Sequence, residues 1–557
     1  MMKLLMAWIT KKTAFIGITL ILVCTLLHAQ PVERIYISTD RSSYIAGESI
    51  GCSLFMMETG TAKLSSFSAV AYLELISADG TAATGKISLT GGRGAAFFHI
   101  PAITPTGNYK LVAYTALNAN EQGKEWQEGS KTISVFNTSS SLRVNNGVNL
   151  VPSLSQSPVK AQEGPLDITA SSIIHTSSPF SISISSTKTV NLSLSVVHDD
   201  ALQESPYEND LAAFKKAVMR QRPVSVKGKR LPEYEGEIIY ASVEGLEEVS
   251  DNLTATLSSA DSPSDIYLGR TARKGQVIFY TSNIYGDREL VCEIEGAKGY
   301  VSIDSPFIHP EITSPEPLKL CYSQQAALLN RKASLKNPIQ ADTLLSFLPR
   351  RQDFLLESLT VKRYHLDDYR RFPSLQEILV EIIHELRIAT QHQKRVLILT
   401  RHDSSTGQKN NYNNILTMLD GVVISDLSIL EGMDAMLLED VDIYSESFLI
   451  GGVSFNGAVN FITRKNYVTA IDFPAGVRVV DFQGVSYPLA YLGGTYSSSE
   501  KDYRQVLYWH PLQQINPSEA LQLNLQAPSY SGRFLLIAEG LTETGEAFRQ
   551  IYPFEVK

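Results

Sequence analysis

Cysteine is scarce in this chain: four residues in 557, with no C-x-x-C spacing. That excludes a dense disulfide framework and a cysteine-based zinc or dithiol centre. Cys24 lies in an N-terminal apolar run, which leaves Cys52, Cys292 and Cys321. One pair with a free thiol, or three unpaired thiols, satisfies that odd number. We expect the second, with all three buried in strands. Positive charge is also short. The 49 Lys and Arg against 58 Asp and Glu give a formal charge of -9, which offers no basic footprint for nucleic acid and makes anionic surfaces poor partners. Beyond the first thirty residues no apolar run reaches the ~18 residues of a spanning helix, and no strand alternation recurs often enough for a membrane barrel.

What is present begins with an export signal. Lys3, Lys11 and Lys12 precede an apolar run from Ala14 to Leu27, and Ala29 offers a small-residue cleavage site before Gln30. The mature chain is expected to start at Gln30. A lipoprotein signal at Cys24 is the alternative, although Ile21, Leu22 and Val23 are bulkier than such signals require.

The remainder reads as mainly β and multidomain. From Glu33 to Phe136 short apolar strands alternate with Asp79-Gly80, Gly91-Gly92 and Pro105 to Gly107, the turn spacing of a β-sandwich over 30–138. A Ser/Asn/Pro-rich linker opens 139–228, where a second sandwich is expected with a short helix near Leu211 to Met219. A third strand set fills 229–310, and 311–350 reads as a linker. Between Phe372 and Ile388 the residues Leu375, Ile378, Leu379, Ile382, Ile383 and Leu386 form one apolar stripe, predicting a helix that Ser374 and Glu377 open as a capping box. Strands at Val396 to Thr400, Ile415 to Leu419, Val441 to Tyr444 and Val459 to Thr463 complete an α+β unit over 351–470. Only three or four strands follow in 471–557, against about seven in a closed sandwich, so this C-terminal segment is expected to pack on strands that precede the α+β unit. Expressed alone, Gln505 to Lys557 should not fold.

Several motifs resemble known families. Thr39, Asp40, Arg41, Tyr44, Gly47, Glu48 and Ile50 follow the Thr-Asp-Arg-x-x-Tyr-x-x-Gly-Glu-x-Ile signature of a macroglobulin domain in alpha-2-macroglobulin-like proteins; their Cys-Gly-Glu-Gln thioester is absent here. The 229–310 strands are similar to a transthyretin-like sandwich. Leu416 to Asp426 with Asp420 and Gly421, then Gly451 to Lys465 with Gly457 and Asn460, resembles the plug of TonB-dependent outer-membrane receptors. The barrel of such a receptor needs about 22 strands, for which the sequence after Lys465 has no room. Asp367, Asp368, Tyr369 and Phe372, with Asp502, Tyr503, Arg504, Tyr508 and Trp509, resemble segments flanking a degenerate plug in a Bacteroidetes family. That resemblance implies an exported interaction protein of the outer membrane, binding an envelope protein or transport complex.

Other motifs carry candidate chemistry. Gly47-x-Ser49-x-Gly51 fits the nucleophile-elbow pattern, but the elbow needs a strand-to-helix turn and Ser49 opens a strand. Gly80 to Gly85 with Lys86 approaches a phosphate loop, yet Ile87 stands where Ser or Thr should hold Mg²⁺, and a hairpin loop is expected instead. Glu381 and His384 share a helical spacing but lack the second copy a bundle metal site needs. His198, Asp199 and Asp200 end a strand as a metal candidate or a solvated turn. Asp342, Thr343 and Leu344 resemble an O-glycosylation triplet. Together these residues predict a non-enzymatic protein with no cofactor and no metal. The alternatives are a periplasmic or surface protein binding a peptide or glycan, and more remotely a secreted serine hydrolase using Ser49.

Overall fold

The computed structural model describes residues 32–557, with the larger omissions at 139–147, 153–158, 203–209, 223–227, 260–264, 322–327, 329–344, 348–358, 403–407 and 492–500. The expected signal segment with Cys24, Asp200 and the 342–344 triplet lie outside the described residues. Residue contacts divide the chain into two units, one of Met1–Tyr234, Phe307–Leu348 and Ser486–Lys557, the other of Glu235–Pro306 and Pro349–Val485.

In the first unit, strand Glu33–Thr39 pairs with Ser49–Glu58, which pairs with Arg93–His99. A five-stranded sheet, ordered Ser43–Ile45, Lys131–Phe136, Gly107–Tyr114, Val70–Ser77 and Gly80–Ser88, closes the first sandwich. The period-2 alternation sends Ile35, Ile37, Leu54, Leu73, Leu75 and Leu111 into its core. Tyr36 and Phe55 point the other way, yet they too are fully buried, because a second apolar cluster with Phe214 and Val218 covers that face. Those last two lie on helix Leu211–Arg220, which Asp210 caps by accepting the N–H groups of Ala212 and Ala213. Gly80 to Lys86 is strand rather than loop beyond its first turn, which corrects the hairpin-loop expectation.

The second sandwich is assembled from distant chain. Leu166–Ala170 and Pro179–Ser186 form a sheet with Leu521–Gln526, and Val190–His198 lies between Val506–Ile515 and Gly532–Thr542, with Ala547–Val556 beyond. Three of its strands precede the second unit in sequence and four follow it, so 139–228 is not a sandwich by itself. Its core joins Ile182, Leu192, Leu194 and Val196 to Leu507, Leu523, Phe534 and Leu536. The 311–350 and 139–165 segments are not wholly irregular, since Leu318–Leu320 pairs in parallel with Val148–Leu150.

The second unit contains a sandwich and an α+β region. Gln276–Tyr280, Ile238–Glu244 and Tyr300–Ile303 face Ile266–Arg270, Thr254–Ser259, Arg288–Ile294 and Arg478–Phe482. The last of these strands lies C-terminal to the α+β region, which is therefore inserted within this sandwich in sequence. Its sheet runs Val361–His365, Leu438–Tyr444, Ala458–Thr463, Leu416–Leu419, Val422–Val423. The expected helix is shorter than its stripe: it spans Leu375–Glu381, and Leu386 opens strand Leu386–Gln391. Ile382 and Ile383 both bond back to Ile378, closing the helix, and the ladder with Lys394–His402 then takes over. The stripe remained continuous because helix, turn and strand all bury side chains in one core. Ser374 accepts the N–H of Glu377 as expected, whereas the Glu377 carboxylate accepts the Ser374 hydroxyl instead of a backbone donor.

Cys52 and Cys292 are buried and unpaired; Cys321 is half-buried, which corrects the expectation for that residue.

Candidate functional site

The Asp40 to Glu48 signature is a self-contained turn. Asp40 Oδ1 accepts the Tyr44 hydroxyl at 2.6 Å and the Gly51 N–H at 2.8 Å, while the Tyr44 hydroxyl donates also to the Arg41 carbonyl. Glu48 accepts the Ile45 N–H and pairs with Arg41 at 3.3 Å, and Arg41 lies 4.6 Å above the Tyr44 ring. Gly47 takes φ +98, a left-handed conformation that favours glycine, and its N–H meets the Ile100 carbonyl. Burial raises the Asp40 carboxyl pKa despite the Arg41 charge and these donors. The motif therefore fixes the crossing between two strands. Ser49 lies opposite His99 in the ladder, but no hydrogen bond joins their side chains.

The C-terminal signature is equally inward. Asp502 and Arg504 form a buried pair at 2.8 Å, Arg504 donates to the Gln526 carbonyl, and the Tyr530 hydroxyl donates to the Arg504 carbonyl. Tyr503 stacks on Tyr530 and Tyr508 joins the sandwich core. Trp509 faces the other way, lying 5.0 Å from Phe97 between ring centroids and flat over Gly51, where a Cβ would stand 2.9 Å from the indole. The two signatures, more than four hundred residues apart, thus meet: Asp40 holds the Gly51 backbone on which Trp509 rests. Ser53 and Arg93 extend the seam by donating to the Pro511 carbonyl at 2.8 and 3.0 Å.

Beside this seam lies a buried charged cluster that the sequence analysis did not find. Glu539 accepts the Tyr36 hydroxyl at 2.9 Å and the Ser38 hydroxyl at 2.6 Å, pairs with Arg549 at 3.2 Å, and is linked through Tyr36 to Lys131. Burial opposes ionisation of Glu539, but the Lys131 and Arg549 charges outweigh it and hold the carboxyl below its ordinary range. Burial brings Lys131 down to about 8. No local spacing announces a cluster whose members come from four separate strands.

Nearby His510 is brought down to about 4 by burial, and its Nδ1 accepts the Leu512 N–H. A group with a depressed folded pKa contributes stability above its unfolded value that is lost as pH falls through the folded one. His510 and Glu539 therefore act in the same direction, His510 between about pH 6.5 and 4 and Glu539 below that. The melting temperature should fall as pH drops across 6.5 to 4, and H510Q should flatten that slope. An unchanged slope in H510Q would contradict the assignment.

In the α+β region Arg363 holds Asp442 through two bonds of 2.6 Å, His365 meets Asp440 at 2.7 Å, and Asp367 binds Arg464 and Arg371. Asp368 and Tyr369 are exposed, and Phe372 packs at the edge of the core. Asp420 and Gly421, at φ +49 and +83, make the turn expected of them. Asp420 accepts from the Thr463 N–H and hydroxyl and the Val468 N–H, and Asn460 accepts the Gly421 N–H. At Gly457 a Cβ would meet the Tyr444 carbonyl at 2.7 Å. Glu381 ends its helix and His384 lies exposed beyond it. His198 contacts Gln505 at 3.0 Å and packs against Tyr530, while Asp199 pairs with Arg533. Among the described residues no group of three or more His, Cys, Asp or Glu converges to hold a metal. A cavity of about 160 Å³ is lined by residues including Thr254, Glu295, Arg395, Asn414 and Phe455.

No family model matches this sequence, and no curated protein is significantly similar to it. Among solved structures the chain is similar to trypsin-activated alpha-2-macroglobulin from Escherichia coli and to Salmonella alpha-2-macroglobulin reacted with methylamine, each with 9% identity, a TM-score of 0.23 and 94% of this chain covered. It spans 41% and 39% of those chains. A similarity to dimeric latent PorU from Porphyromonas gingivalis, at 9% identity and a TM-score of 0.15, covers 49% of this chain and 33% of that one. The protein is a mainly β, multidomain sandwich protein.

Proposed function

We propose that this chain is a non-catalytic interaction protein of the cell envelope, exported by its N-terminal segment and working at the outer membrane through its sandwiches and its plug-like α+β region. One observation carries the reading. The charged residues that make its signatures conspicuous bond to one another inside the fold, as Asp40 does with Tyr44 and Asp502 with Arg504. They are used to hold sandwiches together, which leaves rigid faces and strand edges as the working surface. Val361–His365 is such an edge, at the end of its sheet with its side chains largely exposed.

A second reading, a peptide- or glycan-binding protein, is favoured by one sheet face. Tyr240, Ile278 and Tyr280 share the outer side of the Ile238–Glu244 and Gln276–Tyr280 pair, and Tyr280 is 65% exposed.

Photo-crosslinkers placed at Tyr369 and Tyr280 in living cells test both. A discrete adduct with one envelope protein from position 369 is expected under the first reading. Soluble, adduct-free protein at both positions, together with fluorophosphonate labelling that disappears in S49A, would replace it with a hydrolase.

A further inference from the structure

Arg401 differs from the buried arginines described above. It lies near the end of strand Lys394–His402, opposite Asn410 and diagonal to Tyr412 on strand Lys409–Tyr412. Its guanidinium carbon stands 4.2 Å from the centre of the Tyr412 ring. Nε and Nη2 are enclosed with no acceptor among the described residues. Arg504 and Arg549 each have a carboxylate within 3.2 Å, whereas Arg401 has none among the described residues. Leaving guanidinium N–H groups dry and unpaired is costly, and an aliphatic side chain on the same ring would avoid that cost. Gly457 lies beside the group: a Cβ there would stand 3.7 Å from Nη2, at ordinary contact distance.

The surroundings specify what would complete this group. Residues 386–412 carry Arg387, Lys394, Arg395, Arg401 and Lys409 against the single acid Asp403, a local excess of positive charge in a chain of net charge -9. Arg395 is neutralised by Glu431. Exposed amides follow on the same strand and after it: Asn413 donates to Gln391, Asn414 donates to the Ser454 carbonyl, and the Asn410 side chain, on the face of Arg401, has no hydrogen-bond partner among the described residues. Amides both donate and accept, as sugar hydroxyls do. A guanidinium preorganised on an aromatic face is suited to a carboxylate.

We propose that Arg401 and Asn410 bind the carboxylate of an acidic sugar in a polysaccharide, with the neighbouring asparagine amides meeting its hydroxyls. This depends on the second reading for its ligand class, but it names a different place, the α+β region rather than a sandwich face. It also makes this rim an exception to the expectation that anionic surfaces are poor partners.

The test uses the full chain and end-labelled polygalacturonate, with neutral dextran and poly-L-glutamate as comparison ligands, titrated at low and physiological salt. Polygalacturonate should bind more tightly than either. R401Q should weaken that binding by about tenfold or more and N410A by about threefold. R401M should melt at or above the parent temperature while failing to bind, which separates loss of ligand from loss of fold. Binding by R401Q within twofold of the parent would overturn the site while leaving glycan binding intact. A preference for poly-L-glutamate would replace the sugar by an acidic peptide, and no binding to either polymer would overturn the proposal outright.

Discussion

Replacing Glu539 by alanine should reduce the unfolding free energy of the first unit by about 3–5 kcal/mol, the range for removing one partner of a buried ion pair. Glu539 is 3% exposed, and its loss removes the carboxylate that faces Arg549 and Lys131 and that accepts the hydroxyls of Tyr36 and Ser38. E539Q keeps the shape and part of the hydrogen bonding, so it should fall between alanine and the parent. Denaturant unfolding followed by tryptophan fluorescence reads both. A loss below about 1 kcal/mol in E539A would mean that water enters the cluster and that the pair behaves as a surface one.

W509A should cost about 3–5 kcal/mol, because it empties a large volume that the surrounding strands cannot refill. G51A approaches the same contact from the opposite side. Its methyl would stand 2.9 to 3.0 Å from ring atoms, inside van der Waals contact, and overpacking of that kind costs about 1–3 kcal/mol. If the indole is seated on Gly51 as described, the double variant should be less destabilised than the sum, since the new methyl then fills space the ring has vacated. Strict additivity would place the indole elsewhere.

What was legible in the sequence was whatever the chain settles locally. The Asp40 to Glu48 turn and the Ser374 cap bond largely to themselves, and Asp420-Gly421 turns through its own positive φ angles, so residue type and spacing announce them. Leu386 shows the limit of that logic. Its spacing continued the helix, but burial in one core gives successive elements the same pattern, and ladder bonds to Lys394–His402 decided the conformation. Glu539 was invisible for a different reason. Its partners at 36, 38, 131 and 549 come together only through tertiary packing, and a glutamate in a strand carries no mark of burial. Arg401 carries no mark in the sequence that separates it from a surface charge; two enclosed nitrogens with no acceptor among the described residues do.

The interleaved second sandwich also dictates when the molecule can finish folding. Val190–His198 lies between two strands that are made more than three hundred residues later. During synthesis it must wait with both edges open while the whole second unit emerges, and contacts of such sequence separation are slow to close. The second unit can reach its native state first, whereas the first cannot be completed until the last strand, Ala547–Val556, is released. A chain terminated early would display the unpaired edges of Val190–His198, a template for aggregation, so ribosome stalling anywhere in the last fifty residues should be as damaging as losing a domain.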